Sequence, residues 1–228
     1  MAGVSSEGAL SVGRGGFVLF NAYPRKGQPI VVDMLSSPLF AMYSLAVPHS
    51  APVPSPSWQT ADHLDPAPSP SVADWLFDQG SLTRRLTALA AGAFAVEPLV
   101  EGWQTLREEE CQALDIAAGS PGWVREVYLR GEGRPWVFAR SVAPQATLRA
   151  SGLGLRELGE RSLGELLFSD RAFDRGELRA CRYPAAWLPD AVAEDGLWAR
   201  RSRFVRGELA VLVAEVFLPA LWGRAGPA

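Results

Sequence analysis

From Ser71 onward the apolar positions follow two periods. Val72, Trp75, Leu76 and Gln79 come at helical spacing, and Ser71 with Asp74 suits a helix N-terminus. Gly80 is expected to end that helix, and Ser81 to cap a second one with Leu82, Leu86 and Leu89 on one face. From Ala95 the period shortens toward two. AVEPLVEGW reads as a strand broken by Pro98, and 107–114 as a short helix. GWVREVYLR is a strand by its β-branched and aromatic content, GEGR a turn, and PWVFARSVAP the hairpin partner. Residues 155–168 read as a helix interrupted at Gly159. RRSRFV, the turn RGE, and LAVLVAEVFLP make a second hairpin. Hairpin-linked strands outnumber helices, so the expected fold class is α+β with an antiparallel β-sheet.

Residues 1–56 differ from the rest. They are rich in Gly, Ser and Pro and end in AVPHSAPVPSPS, where each Pro removes a backbone donor and disfavours helix before it. They are expected to be a disordered extension, although GFVLFNAY and PIVVDML are more apolar than such sequence usually is. Residues 57–228 then form one domain, with regular order starting near Ser71.

Composition removes several classes. With 48% hydrophobic and 21% charged residues, a packed core is available. A formal net charge of -3 gives no overall electrostatic case for nucleic acid or an anionic membrane. Two cysteines without a CxxC, and histidines only at His49 and His63, argue against a disulfide framework, a metal centre or a histidine-based triad. No apolar run is long enough to span a bilayer, and none resembles a signal peptide, so a cytoplasmic protein is expected.

Two charged residues break the apolar pattern. Alternation along 123–130 sets Arg125 on one face with Trp123, Val127 and Leu129. A guanidinium there needs an anionic partner. Glu215 shares its face with Leu209, Val211, Val213 and Phe217, and a lone buried carboxylate either finds a partner or shifts its pKa upward. The plainer alternative pairs Arg125 with Glu215. The functional alternative is an enclosed pocket in which Arg125 holds a ligand carboxylate and Glu215 accepts from a ligand hydroxyl. Two helix starts add backbone donors. Ser162 with Glu165 forms a capping box before Leu163, and Ser81 caps the helix at Leu82, so each of these leucines offers an amide suited to an anion. The basic run ARRSRFVR is read as a solvated hairpin arm.

WLFDQGSLTRRL, GWVREVYLRGEGRPWVFARSVAP, LGERSLGELLF and LWARRSRFVRGELAVLVAEVFLPALW together resemble the chorismate lyase family, in its order and roughly its spacing, over about residues 72–222. The resemblance implies an α+β fold with helical flaps over an enclosed site. It implies conversion of chorismate to 4-hydroxybenzoate and pyruvate for ubiquinone synthesis by a monomer, without metal or cofactor and without a nucleic-acid or membrane partner. It assigns Arg125 to the aromatic carboxylate, Glu215 to the 4-hydroxyl, and backbone amide contacts to Leu163 and Leu82. The family often has Met where Leu82 stands, which matters little for a backbone contact. The segment 181–196 is longer than in the shortest members, and residues 1–56 have no counterpart. The effector-binding domain of GntR-type regulators is similar in fold and would bind a ligand without catalysis. Such regulators carry an upstream DNA-binding domain, which 1–56 are too rich in Pro and Gly to supply.

Because 1–56 carry no periodic apolar face, their removal is expected to leave melting temperature and turnover nearly unchanged. A large fall in either on truncation would show that GFVLFNAY or PIVVDML packs on the core.

Overall fold

A computed structural model of the chain describes residues 55–152, 159–169 and 173–226. In chain order the elements are α1 (Pro70–Leu76), α2 (Leu82–Leu89), β1 (Phe94–Thr105), α3 (Glu108–Leu114), β2 (Pro121–Gly131) and β3 (Arg134–Pro144). Then come α4 (Gln145–Ser151), α5 (Leu163–Ser169), β4 (Asp174–Arg175), β5 (Arg179–Tyr183), β6 (Leu197–Arg206), β7 (Leu209–Phe217) and α6 (Pro219–Ala225). The seven strands form one antiparallel sheet in the order β1-β2-β3-β7-β6-β4, with β5 also on β6. The fold is α+β.

Local chemistry accounts for the boundaries. Ser69, not Ser71, caps α1 by accepting from the Val72 amide, because Pro70 supplies a first helical residue that needs no donor. The helix stops at Leu76, before Gly80. Ser81 caps α2 as expected, accepting from the Arg84 amide. Pro98 does not break β1. The strand lies at the sheet edge, where a missing donor costs no ladder bond, and a register shift between Pro98 and Val100 absorbs the irregularity. The β2–β3 turn places Glu132 and Gly133 at φ 52° and 75°, the left-handed pair that matches the twist of a two-residue hairpin.

Helices α4 and α6 have no counterpart in the sequence reading; both are single short segments next to proline. Order also starts upstream of Ser71: Gln59 makes a β-bridge with Ala180, and Trp58 packs edge-on against Tyr183. The expected disorder of 1–56 falls almost wholly outside the described residues, as does the 153–158 part of the helix expected over 155–168.

Each face of the sheet carries two apolar clusters. On the first face, Val127, Leu129, Val137 and Phe217 lie under α1, α2 and α6, while Trp123, Ala143 and Val211 lie under α4 and α5. On the second face, Val124, Val142 and Leu212 pack on α3, while Tyr128, Phe138 and Val216 pack on the segment after β5. Between the clusters of each face runs a polar row. On the second face Arg140, 5% exposed, donates from Nε to Glu110 at 2.6 Å and from Nη1 to Glu126 at 2.7 Å. Burial works against its charge, but the two carboxylates outweigh burial and drive its pKa up.

Glu110 is itself buried, so Arg140→Met strands a carboxylate under α3. The expected loss is about 3–5 kcal/mol of unfolding free energy in urea. A loss below about 1 kcal/mol, the value of an exposed pair, would contradict this account of the second face.

Candidate active site

The polar row of the first face starts at Arg125. Strand pairing sets it opposite Glu101 of β1 and Ser141 of β3, and the row continues through Val213 of β7 to Ser202 of β6. Arg125 is 3% exposed. Its Nε donates to Glu101 Oε1 at 2.6 Å, and its Nη2 to the carbonyls of Gly159 at 2.5 Å and Arg161 at 3.1 Å. Its Nη1 has no hydrogen bond among the described residues. One guanidinium thus holds the edge strand and the loop entering α5, and keeps one nitrogen for a further acceptor.

Glu215 lies on the same face in the next row, opposite Ala139 on one side and Arg200 on the other. Its Oε2 accepts from Arg200 Nε at 2.7 Å, and its Oε1 accepts nothing among the described residues. The pairing of Arg125 with Glu215 that the sequence allowed does not form. Each has its own partner, and β3 lies between their strands, with one residue pair of offset. Strand spacing and rise put their Cα atoms about 12 Å apart. The floor between them is Ala139, Ser141 and Val213, side chains too small to fill that span.

The two helix starts meet above this floor. Thr83 Oγ1 and Ser162 Oγ share a hydrogen bond of 2.7 Å, and Gly164 lies against Thr83 with no room to spare for a β-carbon. Leu163 lines a narrow gap with Arg125, Trp123, Ser141, Ala143 and Val211. Leu82 is buried in the neighbouring cluster, next in the chain to Thr83 of that hydroxyl pair. Arg125 and Leu163 therefore share one gap, Glu215 stands a row away, and Leu82 borders it. The Glu165 half of the expected capping box rests on a side chain outside the described part of the structure.

Three site residues escaped the sequence reading. Arg200, assigned to a solvated arm, is 1% exposed and also donates from Nη1 to the carbonyls of Trp75 at 2.8 Å and Asp78 at 3.1 Å. The signal for it was present: a two-residue turn sets Arg206 opposite Leu209, and counting back sets Arg200 opposite Glu215. Arg175 of β4 donates from Nε to Ser202 Oγ and from Nη1 to the Gln79 carbonyl, each at 3.0 Å. Glu101 sits on an edge strand whose bulge hides its facing residue from simple alternation. Next to Arg200 in the basic run, Arg201 points to the second face and pairs with Glu109.

A family model described as "Chorismate lyase" matches residues 54–227. A "Probable chorismate pyruvate-lyase" of Pseudomonas aeruginosa is 69% identical over 169 residues, 74% of this chain and 94% of that protein. One of Pseudomonas fluorescens is 61% identical over 177 residues, 77% of this chain and 95% of that protein. Among solved structures, the C-terminal domain of PhnF matches with a TM-score of 0.45 and 16% identity over 54% of this chain and 82% of that one. The effector domain of PhnF from Mycobacterium smegmatis gives a TM-score of 0.43 and 18% identity over 62% of this chain and 90% of that one. On the strength of the family match and these sequence identities, the chain belongs to the chorismate lyase family.

Proposed function

We propose that this protein converts chorismate to 4-hydroxybenzoate and pyruvate, supplying the aromatic acid for ubiquinone synthesis as a cytoplasmic monomer without a metal or cofactor. The observation that carries the reading is the placement of Arg125 and Glu215 on one sheet face, two strands apart, with only small side chains between. A flat six-membered ring with a carboxylate at one end and a hydroxyl at the other suits that spacing. The ring carboxylate accepts from Arg125 Nη1 and from the Leu82 and Leu163 amides. Those amides start helices and lack partners within them. The 4-hydroxyl donates to Glu215 Oε1, while Arg200 holds Oε2.

The chemistry needs little beyond position. The C3–O ether bond breaks, C4 gives up its hydrogen, and the enolpyruvyl methylene gains one to become the methyl of pyruvate. The ring becomes aromatic, which supplies the driving force. Holding the ring flat, with hydroxyl and carboxylate fixed, brings the reacting atoms together. Exclusion of water by α2 and α5 strengthens both polar contacts. The gap beside Arg125 is too narrow for a water molecule, so a ligand enters only when the two helix starts part at the Thr83–Ser162 hydroxyl pair.

Incubation of the purified protein with chorismate tests the activity. Ultraviolet absorbance of 4-hydroxybenzoate, with equimolar pyruvate, is the expected result, and no conversion would contradict it. Arg125→Ala is expected to cost about 2–5 kcal/mol in kcat/KM, the range for truncating one partner of a buried charge pair. Arg125→Lys is expected to rescue poorly. An ammonium cannot reach Glu101, two loop carbonyls and a ligand from one planar fork. Near-parental kcat/KM in either variant would remove Arg125 from the site.

A further inference from the structure

Arg175 brings a further positive charge to the seam beside Glu215. It pairs with Phe204 across β4–β6, on the face that carries Arg125, and its guanidinium carbon lies 5.4 Å from the Phe204 ring centroid. From there it leans along the sheet until Nε meets Ser202 Oγ. Ser202 is the far end of the row that begins with Glu101 and Arg125. The two arginines therefore approach the same floor from opposite sides, with Glu215 and Arg200 in the adjoining row. Arg175 Nη1 lies beneath the α1–α2 turn, against the carbonyls of Gln79 and Gly80. Burial first, and then the neighbouring Arg200, pull its pKa down to about 10, with Glu215 and Asp78 pulling the other way. The group remains charged at neutral pH, in a setting where an added anion is favourable.

Chorismate carries two carboxylates, one on the ring and one on the enolpyruvyl arm. The arm leaves the ring at C3, next to the hydroxyl-bearing C4. With the ring carboxylate at Arg125 and the hydroxyl at Glu215, the arm falls on one of two sides of the line joining them. One side holds Val127, Leu129 and Phe217 beneath α1 and α2, where a carboxylate has no acceptable partner. The other side leads past Val213 to Ser202 and Arg175. Building on the chorismate reading, we infer that Arg175 binds the enolpyruvyl carboxylate of the substrate. Arg125 then reads what substrate and product share, and Arg175 reads what only the substrate carries. Cleavage turns the arm into free pyruvate, so the contact at Arg175 is no longer tethered to the ring.

Arg175→Met and Arg175→Lys test this against a role confined to holding the α1–α2 turn. The measurements are kcat/KM for chorismate and Kd for 4-hydroxybenzoate, which lacks the arm. The Met variant is expected to lose roughly 30-fold or more in kcat/KM, the low end for truncating a buried charge pair. Its Kd for 4-hydroxybenzoate is expected to stay at the parental value, which also shows that it folds. The Lys variant keeps a point charge and is expected to regain part of the loss. Equal weakening of substrate turnover and product binding, or no change in either, would overturn the assignment. A parental protein that fails to turn over chorismate would instead overturn the reading beneath it. Should the Met variant fail to fold, the parental protein still decides. It is expected to bind 3-(carboxymethoxy)-4-hydroxybenzoate more tightly than the methyl ester of the same side arm, and equal or weaker binding of the acid would refute the role of Arg175.

Discussion

A guanidinium cannot shed its proton, so every arginine that a sheet buries must be met by acceptors. Arg125, Arg140 and Arg200 are each at most 5% exposed; Arg125 and Arg140 stand in rows that separate two apolar clusters, and Arg200 stands in the row beside that of Arg125. Their acceptors come from elements outside their own strands. Arg125 binds Glu101 of β1 and the carbonyls of the 159–161 loop; Arg140 binds Glu110 of α3; Arg200 binds Glu215 of β7 and the turn after α1. Pairs of this kind add little net stability over an apolar core of equal volume, but an unmet partner is costly. They therefore favour the one arrangement in which helices, edge strand and loops all reach their arginines.

That demand also creates the site. On the second face the polar row is closed by α3, whose Glu110 takes two of the nitrogens of Arg140. On the first face, no helix among the described residues crosses the row. The clusters on either side are covered by α1 and α2 and by α4 and α5, and the two sets meet at the Thr83–Ser162 hydroxyl pair, where Gly164 also lies against Thr83. In the two adjoining rows beneath, Arg125 Nη1 and Glu215 Oε1 make no hydrogen bond among the described residues, and these are the atoms that the proposed ligand would meet. The low polarisability of those rows strengthens whatever hydrogen bonds a ligand makes there. In the proposed function, stability and recognition use the same arginines, with the nitrogens and oxygens divided between them.

Much of the fold was legible because alternation and turn chemistry are local. The β2–β3 and β6–β7 hairpins followed from residues such as Gly133 and Gly207, and Arg125 and Glu215 stood out as charges on apolar faces. The cap of α1 was misplaced by two residues because Ser69 and Ser71 offer the same hydroxyl, and Pro70 decides between them only as a first helical residue. Arg125 and Glu215 each proved to have a separate partner. Glu101 lies behind a bulge in β1, and Arg175 lies on a two-residue strand whose pairing depends on tertiary context. Arg200 is the instructive miss: its charge-dense run resembled a solvated arm, while hairpin register alone places it opposite Glu215. Composition marks what a segment can do, whereas register decides which neighbours it has.

The position of the bound product tests the proposed site most directly. A crystal structure of the protein with 4-hydroxybenzoate is predicted to show the carboxylate within hydrogen-bond distance of Arg125 Nη1 and the Leu163 amide, and the hydroxyl on Glu215 Oε1, with Arg200 still on Oε2. A ring seated elsewhere, or one whose carboxylate meets Arg200 while Glu215 turns away, would contradict it.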